Sequence, residues 1–298
     1  MDRIVLALAF AASASMAAPA LAQDDKNARV VLEPSTHWNV DFGQEKCRLA
    51  RAFGDVDNRH LLFIEQGGPK YGFGLIVLGP AFKKFRQPDR ITVQFGEFVP
   101  VGKYRPMLGD TEGVGASLIY SNMVFFEKPR SEREPVSDTA MDPLPRLDVE
   151  AASLINAITM HQGKRSVVFN TGNLGEAIKI LNECSLNFVE SWGLDRAAHE
   201  TMTRLAKWAN AEAVTRRIQD KYPLQALRKG ESGIFRMRVI VEPDGSVSEC
   251  EISNATITET LDSPACKEMG KAEFEPALDV HGKPMRSFYL TSITYVVR

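Results

Sequence analysis

From Arg29 to about Glu127, apolar and polar residues change places over short intervals. Runs rich in Val, Ile and aromatics at Cys47–Phe53, His60–Glu65, Tyr71–Leu78, Arg90–Phe98 and Ala116–Phe126 are bounded by Gly, Pro and Asp, which predicts a series of strands. Gly67-Gly68-Pro69, Gly79-Pro80 and Gly109-Asp110 read as the turns between them. From Lys128 to Arg146 apolar residues thin out and Pro129, Pro135, Pro143 and Pro145 enter, which predicts an exposed loop.

The period then changes. Leu154, Ile155 and Ile158 predict a helix over Asp148–Met160, and β-branched Arg165–Asn170 a short strand. Leu174, Ile178, Leu181, Ser185, Phe188 and Trp192 recur at steps of three and four, the stripe of a buried amphipathic helix. Asn173 stands where an N-cap belongs, Glu176 where its return acceptor belongs, and Gly193 where a left-handed stop belongs. Residues 27–195 are therefore expected to form a β-rich α+β module with two helices. Residues 196–221, with Leu205, Trp208 and Ile218 on one side, are expected to be a helical connector.

The last 77 residues read as a small ββαβ unit over 222–298. Phe235, Met237, Val239 and Val241 share one strand parity while Arg236 and Arg238 hold the other. Pro243-Asp244-Gly245 closes a hairpin, and Ser246–Asn254 returns with Cys250 and Ile252 on one face. Leu261, Ala265 and Met269 mark a short helix over Leu261–Lys271, and Ser287–Val297 is the last strand. The fold class is α+β throughout.

Composition narrows the function. Of 298 residues 44% are hydrophobic, enough for real cores, and 36 Lys+Arg against 38 Asp+Glu give a formal charge of -2. That balance gives no reason to expect a nucleic-acid partner, whose phosphates call for a clear basic excess. At the start, Arg3 precedes an uncharged run from Ile4, and Ala20-Leu21-Ala22 ends in the small-x-small pattern before Gln23. This is the layout of a signal peptide over 1–22 cleaved between Ala22 and Gln23, which places the mature chain in the periplasm or outside the cell. The rival reading is a retained inner-membrane anchor, since Ile4–Ala22 has the length of a span.

Four cysteines in an oxidising compartment are expected to pair. Of the three possible pairings, proximity and the division into modules favour Cys47–Cys184 and Cys250–Cys266. Neither these cysteines nor the five scattered histidines have metal-ligand spacing, so no metal or other cofactor is expected. The glycine-rich run Gly67–Gly74 lacks the order of a phosphate-binding loop and reads as turn and bulge. No G-x-S-x-G or H-E-x-x-H occurs, and the chain is not expected to be an enzyme. Trp38, Trp192 and Trp208 read as core or interface anchors.

Tyr222-Pro223, Ala226-Leu227, Gly230 and Gly233 precede the Pro243-Asp244-Gly245 hairpin and Val247. Leu261-Asp262, Phe274, Pro276-Ala277 and Gly282 follow before the closing strand. In their order and spacing, these residues resemble the TonB C-terminal domain family, over roughly 215–298. The resemblance implies a periplasmic domain of Gram-negative bacteria that pairs a sheet edge with a short strand of an outer-membrane receptor, by β-augmentation, in TonB-dependent transport. Tyr289, Thr291, Ile293 and Tyr295 are the residues expected beside the incoming strand. A homodimer joined through the same strand is the competing use of such an edge. Energy transducers of the family carry an anchor helix with a functional histidine and a long Pro-rich spacer. Here the first histidine is His37, and a β-rich module stands where the spacer would be. The functional expectation is a non-catalytic periplasmic module that captures a protein strand. The alternative is a protein that binds a ligand or envelope component through the N-terminal module.

Overall fold

The computed structural model describes residues 29–97, 102, 104–111, 113–125, 144–254, 256 and 258–297. The signal-peptide reading, with Ala22 and Gln23, falls outside these residues, as does most of the 128–146 loop.

The chain is α+β. The N-terminal part runs β1 (Arg29–Leu32), β2 (Asn39–Phe42), β3 (Cys47–Phe53), β4 (His60–Gln66), β5 (Phe73–Leu78), β6 (Ile91–Phe95), β7 (Met107–Thr111), β8 (Gly115–Met123), α1 (Val149–Ser153), β9 (Ile158–Gln162), β10 (Arg165–Phe169) and α2 (Gly175–Ser191). Six strands form one antiparallel sheet in the order β2-β3-β4-β5-β8-β7, and four form a second in the order β1-β10-β9-β6. Leu49, Leu62, Ile64 and Leu75 from the first sheet, Val93, Met160 and Phe169 from the second, and Ile178 and Leu181 of α2 share one core. Fully burying each such side chain contributes about 1.5–3 kcal/mol.

The helix expected over Asp148–Met160 stops at Ser153. Asp148 caps it, its Oδ1 accepting from the Ala151 N–H at 2.8 Å. Ile158–Gln162 then becomes β9, because it can pair on both sides, with β6 and with β10. Local helical spacing lost to two ladders. At the next helix, Asn173 sits one residue outside the N-cap position, which Leu174 holds. Its Oδ1 accepts from the Gly175 N–H, while its Nδ2 donates to the Ser153 carbonyl and ties α2 to α1. Gly193 ends α2 with a φ of 70°, as its position suggested.

The expected connector helix is broken into α3 (Arg196–Glu200), a two-residue strand β11 (Lys207–Trp208) and α4 (Ala211–Asp220). β11 leaves the helical path because its backbone pairs with β14 (Phe274–Glu275). After α5 (Leu224–Lys229) the C-terminal unit comprises β12 (Gly233–Val241), β13 (Val247–Asn254), α6 (Ala265–Met269), β14, the small pair β15 (Ala277–Leu278) and β16 (Pro284–Met285), and β17 (Ser287–Tyr295). Its sheet has the order β13-β12-β17.

Two clusters of buried side chains result, and α2 serves both. Ile178, Leu181, Cys184 and Phe188 belong to the first, whereas Leu186 and Val189 join Met237, Val239, Met269 and Phe288 in the second. No helix among the described residues is long and apolar enough to cross a membrane.

Candidate functional site

The C-terminal sheet is amphipathic in an unusual sense: both faces are covered by protein. Phe235, Met237, Val239 and Val241 on β12 point into the second core, as their parity predicts. The other parity, with Ile234, Arg236 and Arg238, would face water in an isolated domain. Here it lies against the six-stranded sheet. The β12–β13 hairpin turns at Gly245, whose φ is 84° and where a side chain would collide with the Phe274 carbonyl at 2.1 Å. Cys250 of β13 is disulfide-bonded to Cys266 of α6, and Cys47 of β3 to Cys184 of α2, the two favoured pairings.

β17 closes the sheet on one side. It pairs with β12 in an unbroken antiparallel register from Ser287↔Val241 to Tyr295↔Gly233. Tyr289 and Tyr295 both turn toward the domain's own core. Tyr289 is half-buried against Trp208 and Phe274, while Tyr295 is buried between Tyr222 and Phe235 and its hydroxyl meets Ser263 Oγ at 3.0 Å. Ile293 packs partly on the same core, and Thr291 is half-buried opposite Met237. All four expected residues thus lie on one strand, but their side chains hold that strand in place, and the outer edge itself is backbone. The strand starts at Ser287, whose hydroxyl meets Nε2 of fully buried His199 on α3 at 3.0 Å. Nδ1 of His199 lies 2.6 Å from the Asp195 carbonyl and must donate to it, so Nε2 accepts from Ser287. Burial pushes the His199 pKa down, despite that carbonyl and the Asp195 charge.

Beneath the sheet lies the contact that its polar parity makes. Glu65 of β4 is fully buried on the face opposite Leu62 and Ile64, and it pairs with Arg236 of β12, with Arg48 at 2.5 Å and with Lys46 at 3.4 Å. Burial alone would raise the Glu65 carboxyl, but Arg236, Lys46 and Arg48 outweigh it and hold the group below the usual range. Small residues let the layers meet. A Cβ on Gly74 would lie 3.2 Å from Arg236 Nη2, and one on Gly68 would lie 2.4 Å from the ring of Trp192. Trp192 stacks on Phe188 at 5.8 Å, meets Phe288 edge-on at 5.1 Å and carries the Arg238 guanidinium over its face at 5.0 Å. Between the layers a cavity of about 50 Å³ is lined in part by Lys70, Arg236, Leu290 and Trp192. Burial first, and Arg236 second, push Lys70 down to about 8.

Residues 218–297 match the family model described as Gram-negative bacterial TonB protein C-terminal. The C-terminal unit is a TonB C-terminal domain. The match takes in the last residues of α4, then α5, every strand of the β13-β12-β17 sheet and α6. No curated protein sequence matches the chain. The TonB family is a non-catalytic, energy-transducing one of the Gram-negative envelope, and the chain carries its C-terminal domain.

Several residues of this TonB domain's surroundings escaped the sequence. Glu65 is a charge near the end of a strand whose parity it shares with Leu61 and Phe63, whereas Arg236 and Arg238 on β12 alternate with apolar residues as solvent-facing positions do. The one available clue was Gly67–Gly74, a concentration of small residues at the end of β4 and the start of β5. It is a docking surface for another sheet as well as a turn.

Proposed function

We propose that this protein captures an extended strand of a partner protein along the outer edge of β17, in the periplasm, as part of TonB-linked transport at the outer membrane. The observation that carries the reading is the character of that edge. β17 spans nine residues, Ser287–Tyr295, without a charge or a proline, and no described strand pairs along its outer side. Natural proteins blunt exposed edges with charges, prolines and bulges, so an unprotected edge of this length is a pairing surface. The opposite edge, β13, is blunted: it carries Glu249 and Glu251, and its register with β12 shifts between Ile240 and Val241. Fixed side chains at Tyr289 and Tyr295 keep β17 flat and in register, while Thr291 and Ile293 lie at its middle. Backbone N–H and C=O groups supply the affinity.

The test uses the whole mature chain. A peptide with the sequence character of a TonB box is titrated while the amide resonances of 287–297 are followed. Shifts confined to that strand are expected. Thr291→Pro and Ser292→Pro remove adjacent N–H groups, which point to opposite sides of the strand, so one of the two should weaken capture while leaving the β12 ladder intact. A self-paired dimer would instead show as a doubled mass without peptide. If no amide in 287–297 moves at millimolar peptide while the protein stays folded and monomeric, strand capture at β17 is wrong.

A further inference from the structure

In the N-terminal part, a groove of about 460 Å³ is lined by Lys84, Arg86, Arg90, Lys164 and Arg165, with no carboxylate among its lining residues. The whole chain has a formal charge of -2, so this concentration does not reflect general basicity. Two segments distant in sequence build it. Between β5 and β6 the chain makes two 3₁₀ turns anchored by buried Phe82 and Phe85, which leaves Lys84, Arg86 and Arg90 exposed. The second segment is the β9–β10 hairpin, whose turn Gly163-Lys164 opens with a glycine at a φ of 61°. Gln162 clamps the two together: its Oε1 accepts from the Arg86 N–H at 3.2 Å and its Nε2 donates to the Gln87 carbonyl at 3.1 Å. A buried amide thus holds like charges side by side.

Four of those charges are uncompensated from within. Arg86, Arg90, Lys164 and Arg165 form no ion pair with any described residue, and the neighbouring carboxylate, Asp89, is taken by Arg105 at 2.9 Å. The Nε of Arg165 is buried without a partner, a donor left over in the wall of the groove. His161, one residue before Gln162, adds no negative charge; burial first and Arg29 second push it toward the neutral form. A concave surface of one sign focuses its field and raises the local concentration of counter-ions. The three guanidinium forks of Arg86, Arg90 and Arg165 and the Lys164 ammonium match a multiply charged tetrahedral anion, with several oxygens to accept, better than a single carboxylate.

We propose that this groove binds a phosphate-bearing anion, independently of strand capture at β17. Two sources share that chemistry, a free phosphorylated compound and a phospholipid headgroup, and two probes separate them. Pyrophosphate is titrated against the mature chain with the amides of 84–90 and 162–165 as reporters, and vesicles of phosphatidylglycerol in phosphatidylcholine are tested by co-sedimentation against phosphatidylcholine alone. Binding that falls with salt is expected for at least one probe. Vesicle binding without pyrophosphate binding assigns the lipid headgroup, and the reverse assigns the free compound. The double variant R90E/K164E should weaken it by about ten-fold or more, taking the order of 1 kcal/mol per basic residue near an anionic surface. Lys283→Glu, an exposed basic residue of the TonB domain, should leave it unchanged. R90Q/K164Q removes the charges without reversing them and serves if the reversed variant does not fold. No binding of either probe at millimolar phosphate, or binding that survives both double variants, overturns the proposal.

Discussion

Glu65 of β4 and Arg236 of β12 are ion-paired between two sheets, with the Glu65 side chain wholly out of water and that of Arg236 only 11% exposed. The pair sits where the TonB domain's polar strand parity meets the N-terminal sheet, and Arg48 and Lys46 complete a shell of three cations around one carboxylate. Removing one partner of a buried ion pair typically costs about 3–5 kcal/mol, because the other charge is left stranded. Here the two removals are unequal. Glu65→Gln strands three cations and should reach that range, whereas Arg236→Met leaves Glu65 with two partners and should cost less. Urea midpoints of the two variants test the order, and equal losses would mean that Arg48 and Lys46 contribute nothing.

The shared helix bears on cooperativity. The polar stretch after Asp195 suggests two modules that unfold apart, but Leu186 and Val189 of α2 lie in the second core while Ile178 and Leu181 lie in the first. Neither core keeps its packing if α2 leaves. One calorimetric transition is therefore expected for the whole protein, and Val189→Ala should lower the stability of both parts together. Two transitions, only one of them moved by Val189→Ala, would restore the modular view.

The two disulfides close loops of very different length. Cys250 and Cys266 are 16 residues apart and Cys47 and Cys184 are 137 apart. In the chain-entropy model these links contribute about 3 and about 5 kcal/mol. Replacing Cys47 and Cys184 by serine should therefore lower the urea midpoint more than replacing Cys250 and Cys266. The opposite order would show that local packing around α6 outweighs loop entropy.

Acid should weaken the fold in two stages. His60 and His199 are both fully buried, and burial pushes both downward, against the hydrogen bonds that their Nδ1 atoms make to the Asn58 and Asp195 carbonyls. The unfolded chain then binds these protons first, near a pKa of about 6.5. Stability is fully present above that value and declines as pH falls below it, toward the lower folded pKa. Glu65, depressed by its cations, adds a second decline below its unfolded value of about 4.5. Unfolding free energy measured from pH 8 to 2.5 should show both, and His199→Gln should flatten the first. A profile level between pH 7 and 5 would exclude the neutral buried histidines.

Sequence alone determined the features that arise from local periodicity. The stripe Leu174–Trp192 made α2, the parity of Phe235–Val241 made the inner face of β12, and Asp244-Gly245 made its hairpin. Oxidising context and proximity pointed to both cysteine pairs, and the order of turns and strands after Tyr222 pointed to the TonB domain. Tertiary structure decided whatever depends on a distant partner. Ile158 continues the helical spacing of Leu154 and Ile155, but Ile158–Gln162 became a strand because β6 and β10 lie on either side of it, and Lys207-Trp208 left the expected connector helix to pair with Phe274-Glu275. The same cause hid Glu65 and Arg236. A strand's pattern shows which residues share a face, but not whether water or another sheet covers that face, and here the Arg236 face of β12 lies against the Glu65 face of β4.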